Sequence, residues 1–372
     1  MFEDVFSIPG MSEQIIQYLR NKDKMSLSIV NKEFCKNTIY DKNFTKKGSI
    51  EFIKSFEKLN ENEKHELKKY KISLKLNQFS DIFNNYCSLI HTLDLFNSGI
   101  TDVSALGKVH TLDLSWCQGI RDVSALGKVH TLNLSFCQGI TDVSELGGVY
   151  GLNLVGCNRI TDVSALGGVH TLNLAGCQGI TDVSALGGVY DLDLTYCRGI
   201  TDVSALCGVH TLYLSKCRGI TDVSTLGKVH TLDLFNSGIT DVSALGKVHT
   251  LNLSHCQGIT DVSALGKVHN LNLSHCKGIT DVSVLRKVHT LNLYKCKGIT
   301  DVSALGGVHT LNLSHCQGIT DVSALSKVHT LDLSNCQGIT DVSALVGVHH
   351  LDLYNCEGIR DVSSLYGVHL VF

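Results

Sequence analysis

From Ile90 onward the chain repeats itself with a fixed period, and this constrains the fold more than any other feature. A typical unit is VHTLDLSWCQGIRDVSALGK, Val109 to Lys128, twenty residues long. Fourteen units run from Ile90 to Gly367, twelve of twenty residues and two of nineteen, and a fifteenth begins at Val368 and stops at Phe372. A unit this short cannot enclose a core of its own, so its apolar side must be covered by its neighbours, which means a solenoid. Counted from the first Val, apolar residues fall at positions one, four, six, twelve, fifteen and eighteen, as in Val109, Leu112, Leu114, Ile120, Val123 and Leu126. The spacing of two between Leu112 and Leu114 is a strand period, and stacked strands then run parallel at roughly 4.8 Å. The later spacing of three suits a tight turn or 3₁₀ arc.

The pattern LxLxxCxxITD, as in Leu132 to Asp142, resembles the cysteine-containing subclass of the leucine-rich repeat family, which is typical of F-box/leucine-rich-repeat proteins. The resemblance covers about three quarters of the chain and implies an α/β-type solenoid with a parallel concave sheet. Twenty residues are short for that family and leave no room for a full helix, so turns or 3₁₀ segments are expected on the convex side.

Three columns of the repeat read as architecture. Position nine is Cys in twelve units, from Cys117 to Cys356, and Ser in the two short units, Ser98 and Ser237. A buried small side chain with weak hydrogen bonding explains this better than a metal or redox ladder, because a thiol in apolar surroundings ionises poorly. Asp at position fourteen (thirteen in the short units), from Asp102 to Asp361, opens a DVSxL turn and can accept the N–H groups two and three residues on. Position two is His in most units and Tyr at Tyr150 and Tyr190, which predicts a stacked, mostly neutral edge of the sheet. No metal and no cofactor is expected.

Variation between units concentrates at positions five, seven, eight and ten. Odd strand positions should face the open concave side. Aromatics beside basic residues there are what an interaction surface uses. Trp116, Phe136, Tyr196, Tyr213 and Arg218 are therefore the expected target-binding residues, with Trp116 and Phe136 stacked side by side.

The first 89 residues differ. They carry a formal +3 against −6 for the repeats. Short helices should bury Ile15, Ile16, Leu19, Leu27 and Val30. The string from Ile8 to Asn37 resembles an F-box through Ile8-Pro9, Tyr18-Leu19, Asp23, Leu27, Ser28, Val30, Asn31, Lys32 and Phe34. That resemblance implies binding of a Skp-type adaptor of a cullin–RING ubiquitin ligase through Pro9, Ile16, Leu19, Leu27 and Val30. Expected boundaries are F-box-like helices at 1–45, a helical linker at 46–70, a degenerate capping repeat at 71–89 and the repeats proper at 90–372.

The net charge of −3 gives no bulk basic character for nucleic acid, and no apolar run reaches the ~18 residues of a membrane span. Glu3 and Asp4 with no apolar segment argue against a secretory signal, so an intracellular chain with reduced thiols is expected. No nucleophile–base pair or phosphate-cradling loop suggests an enzyme. Two functions follow: the substrate receptor of a ubiquitin ligase, or a scaffold whose first helices only cap the array. The break after His369-Leu370-Val371-Phe372 predicts end-to-end self-association or fraying of the last unit.

Overall fold

The computed structural model describes residues 87–371 in full, and the backbone of two earlier strands, Thr38–Phe44 and Lys71–Leu76. The F-box-like stretch, with Pro9, Ile16, Leu19, Leu27 and Val30, lies outside the described residues. The helical reading of 1–45 does not extend to Thr38–Phe44, which is a strand paired in parallel with Lys71–Leu76. Thr38, Ile39 and Tyr40 are strand formers, and pairing offers them more than a helix end would. Lys71–Leu76 in turn pairs with Ile90–Asp94, with Leu74 opposite Leu93.

The chain divides into two compact units, Met1–Cys177 and Gln178–Phe372. In the first, the repeat strands are Ile90–Asp94, Thr111–Asp113, Thr131–Asn133, Gly151–Asn153 and Thr171–Asn173, each parallel to the next. In the second, parallel pairing runs from Asp191–Asp193 to His369–Val371, between equal repeat positions as in Leu232 opposite Leu251, except in the last pair, where Leu351 lies opposite Leu370 and the register shifts by one residue. The assigned strands are mostly only three residues long. The ladder nevertheless continues past them, since Leu114 N–H donates to Asn133 O at 2.8 Å and Trp116 N–H to Ser135 O at 2.9 Å.

The apolar columns are buried in the way their spacing demands through the thirteenth repeat, and in the fourteenth Ile359 and Val362 are half-buried. In the second repeat Val109, Leu112, Leu114, Cys117, Ile120, Val123 and Leu126 are all buried. The return half of each repeat is a 3₁₀ segment or a turn, such as Ser144–Gly148 or Ser263–Leu265, and no α-helix occurs among the described residues. These segments pack closely at several glycines next to last in their repeat, although Cys207, Arg286, Ser326, Val346 and Tyr366 take the same place in other repeats. A Cβ built on Gly246 would lie 2.2 Å from the Ala264 carbonyl oxygen.

Candidate functional site

The columns separate into those that hold the solenoid and those that decorate it. The cysteine thiols are structural donors. Cys137 Sγ donates to Leu114 O at 3.1 Å and Cys256 Sγ to Leu234 O at 3.2 Å, each the position-six carbonyl of the repeat before. The same carbonyl already accepts the position-nine N–H of its own repeat, as Ser237 N–H to Leu234 O, so the thiol satisfies its second lone pair. In the short units the serine joins the column, with Ser237 Oγ 3.4 Å from Cys256 Sγ. Burial pushes the thiols of Cys177 and Cys316 up to about 12, with the neighbouring column thiol adding to the effect. They are neither nucleophiles nor metal ligands in this state.

The Asp column caps turns as its sequence implies, though only the N–H two residues on is bound. Asp281 Oδ1 accepts Ser283 N–H at 2.9 Å, and that bond holds its carboxyl below the ordinary carboxylate range. Position five does the same work at the strand end. Asp233 Oδ1 accepts Phe235 N–H and Asn252 Oδ1 accepts Ser254 N–H, so Asp and Asn are interchangeable there. Histidine rings at position two stack at 4.6 Å between His230 and His249 and at 4.7 Å between His269 and His289. Their Nδ1 atoms sit beside the next threonine hydroxyl, as His249 and Thr250 at 3.2 Å.

Position eight, variable between repeats, is a turn position. It lies beyond the strand, and in all fourteen repeats its φ is positive, from 52° at Asn97 to 76° at Gly176. Gly and Asn accept this left-handed conformation readily, and they occupy six of the fourteen positions. Trp116, Phe136, Tyr196, Lys216, His255, His275, Lys295 and His315 occupy it at a cost of ~1 kcal/mol or more each. The Gly and Asn recurrence was the visible signal of this turn. Position seven is also less open than the strand alternation implies. Ser115, Ser135, Ser254, Ser274 and Ser314 are buried, and each precedes a ring at position eight.

Of the expected target-binding residues, Trp116 and Phe136 stack with ring centroids 4.8 Å apart and lie in the first unit. A Cβ on Gly156 would come within 2.8 Å of the Phe136 ring, so a glycine ends this stack. Tyr196, Tyr213 and Arg218 lie in the second unit and are exposed. Sequence reasoning did not single out Lys216, whose Nζ sits 4.4 Å over the Tyr196 ring and 5.4 Å from the Phe235 ring. Arg198 also approaches Tyr196, at 5.9 Å. Tyr213 replaces the turn-closing Asp or Asn of every other repeat.

Among the described residues no cluster of three or more His, Cys, Asp or Glu could hold a metal ion, and no helix is long and apolar enough to cross a membrane.

Residues 247–265, 308–326 and 324–345 match the Leucine Rich repeat family model. Among solved structures the chain is similar to an internalin, InlF, from Listeria monocytogenes, at 26% identity and a TM-score of 0.55, covering 69% of this chain and 83% of that one. It is also similar to the functional domain of InlJ from the same organism, which includes a cysteine ladder, at 21% identity and a TM-score of 0.37, covering 67% and 74%. A leucine-rich-repeat protein of Leptospira interrogans matches at 15% identity and a TM-score of 0.47, covering 81% and 100%. No curated protein sequence matches the chain.

Proposed function

We propose that this leucine-rich-repeat chain is a non-catalytic protein-binding array, used as the substrate-recognition subunit of a cullin–RING ubiquitin ligase inside the cell. The observation that carries the binding half is the division of labour within the repeat. Cys, Asp, His and the apolar columns are occupied by packing and hydrogen bonds. Positions five, eight and ten, at the strand end and the turn after it, carry exposed aromatic and basic side chains in selected repeats. Such residues are the usual anchors of protein interfaces. The ligase half rests on the F-box resemblance of residues 8–37 joined to cysteine-type repeats. Pro9, Ile16, Leu19, Leu27 and Val30 would hold a Skp-type adaptor, and the repeats would hold the target.

The similarity to an internalin favours a second reading, a protein-binding array with no link to ubiquitin transfer. Capture of a purified Skp-type adaptor of the correct host by the full chain separates the two. Stoichiometric capture supports the receptor. Its absence with well-folded protein leaves the scaffold.

A further inference from the structure

The second unit carries a charge pattern that the overall charge of −3 conceals. In its columns eight and ten the ionisable side chains are Arg198, Lys216, Arg218, Lys277, Lys295 and Lys297, with three histidines, and Glu357 is the single acid. In the first unit the same columns hold no Lys, Arg, His, Asp or Glu. Undirected drift would not choose one sign.

These cations displace residues with structural duties. Glutamine at position ten donates to the position-eight carbonyl of the next repeat, as Gln257 Nε2 to His275 O at 2.9 Å and Gln337 Nε2 to Asn355 O at 2.8 Å. Arg198, Arg218, Lys277 and Lys297 stand where that glutamine would be, and all four are exposed. Lys216 and Lys295 adopt the left-handed conformation that Gly or Asn holds without strain. Tyr213 gives up the turn-closing carboxamide or carboxylate. Aromatic rings are interleaved with the cations, with Lys216 over Tyr196 and Lys295 Nζ 4.8 Å from the Tyr294 ring. Local rules broken together in one band, all toward one chemistry, mark a functional surface rather than an architectural one.

We infer that this band, from Arg198 to His315, docks an acidic segment of a partner protein. The inference rests on the protein-binding reading and names its partner's chemistry. It does not depend on the adaptor. A polypeptide suits the band better than a nucleic acid. Carboxylates at position fourteen recur in every repeat of the unit, as Asp222, Asp241, Asp261 and Asp281, and would repel a continuous phosphate backbone. An acidic peptide carries its charges on flexible side chains, which can turn away from that column and toward the cations.

The test uses the full chain and three fluorescent probes, a 20-residue poly-glutamate, a 20-residue poly-lysine and a 20-nucleotide oligo-dT. Wild type should bind poly-glutamate, more weakly as salt rises, and not poly-lysine. Arg198→Gln/Arg218→Gln/Lys277→Gln/Lys297→Gln restores the glutamine of the other repeats, so the array should keep or raise its thermal midpoint while binding falls roughly tenfold or more. Lys228→Gln/Lys247→Gln/Lys267→Gln/Lys287→Gln removes as many charges from the 3₁₀ side and should leave binding nearly unchanged. No poly-glutamate binding by wild type, equal loss in both variants, or tighter binding of oligo-dT would each overturn the inference. Adaptor capture measured on the same samples reports separately on the receptor reading.

Discussion

At the scale of single residues the cysteine column is the clearest case of a conspicuous pattern with a plain cause. The column thiols are buried, thiols such as Cys256 donate to a carbonyl of the repeat before, and burial pushes the thiol of Cys276 up to about 12. Under a thiol alkylating agent at pH 8 the native chain should label at Cys207, the exposed cysteine among the described residues, and not along the column. Mass spectrometry of the labelled protein checks this, and rapid modification of Cys276 in the folded state would contradict it. Replacing Cys256 by Ser keeps a donor for Leu234 O, so the cost should be only about 1 kcal/mol, from burying a more polar group. Tight stoichiometric zinc on these thiols in the native protein would show that the column had been misread. At position eight the sign reverses. Trp116→Asn with Phe136→Asn relieves two left-handed side chains while losing one ring stack, so the thermal midpoint should hold. If this pair also serves the target, affinity should drop in the same variant.

At the scale of elements, the repeat was legible because its apolar spacings translate directly into burial. Val109, Leu112, Leu114, Ile120, Val123 and Leu126 are all inside, and the 3₁₀ return follows from a unit too short for a helix. Legibility failed where a turn rather than a strand governs the backbone. The variability of position eight is visible in the sequence but its backbone is not: the strand ends at Asp113 and Trp116 sits in a left-handed turn. The position-five carboxylate or carboxamide that ends the strand was visible as an Asp/Asn column, but alternation offered it to solvent instead of to the N–H two residues on. Tyr213 is the natural test. Tyr213→Asn restores the closing bond and should stabilise the array by roughly 0.5–1 kcal/mol in thermal or urea unfolding. A loss of stability would mean that Tyr213 packs better than it caps.

The stacked histidines belong to the same scale. Desolvation, then the charges of His230 and His269, lower the His249 pKa below the ordinary imidazole value. The unfolded chain therefore takes up a proton first as pH falls. This contribution to stability is fully present above the unfolded pKa of about 6.5 and is lost as pH drops below it toward the depressed folded value. The Asp column acts lower. Its folded pKa values are depressed below the ordinary carboxylate value, so its contribution persists until pH falls below about 4. Thermal midpoints should thus decline between pH 7 and 5, before the carboxylates titrate. A flat or rising profile in that window would contradict the lowered pKa of His249.

At the scale of the whole molecule the account joins an adaptor-binding segment to a target-binding array. Solenoid stability is close to a sum of nearest-neighbour terms, so a change at Leu19, ahead of the strand Thr38–Phe44 that continues the sheet, should not propagate through the repeats. The most direct test places a charge on the proposed adaptor surface. Leu19→Asp would bury an unpaired carboxylate against the adaptor, at a cost large enough to abolish capture. Adaptor capture by wild-type and Leu19→Asp full chains should be measured alongside circular dichroism and the thermal midpoint of the repeats. The account predicts capture by wild type, none by the variant, and identical unfolding curves. Undiminished capture by Leu19→Asp, or no capture by well-folded wild type with the correct host's adaptor, would contradict it.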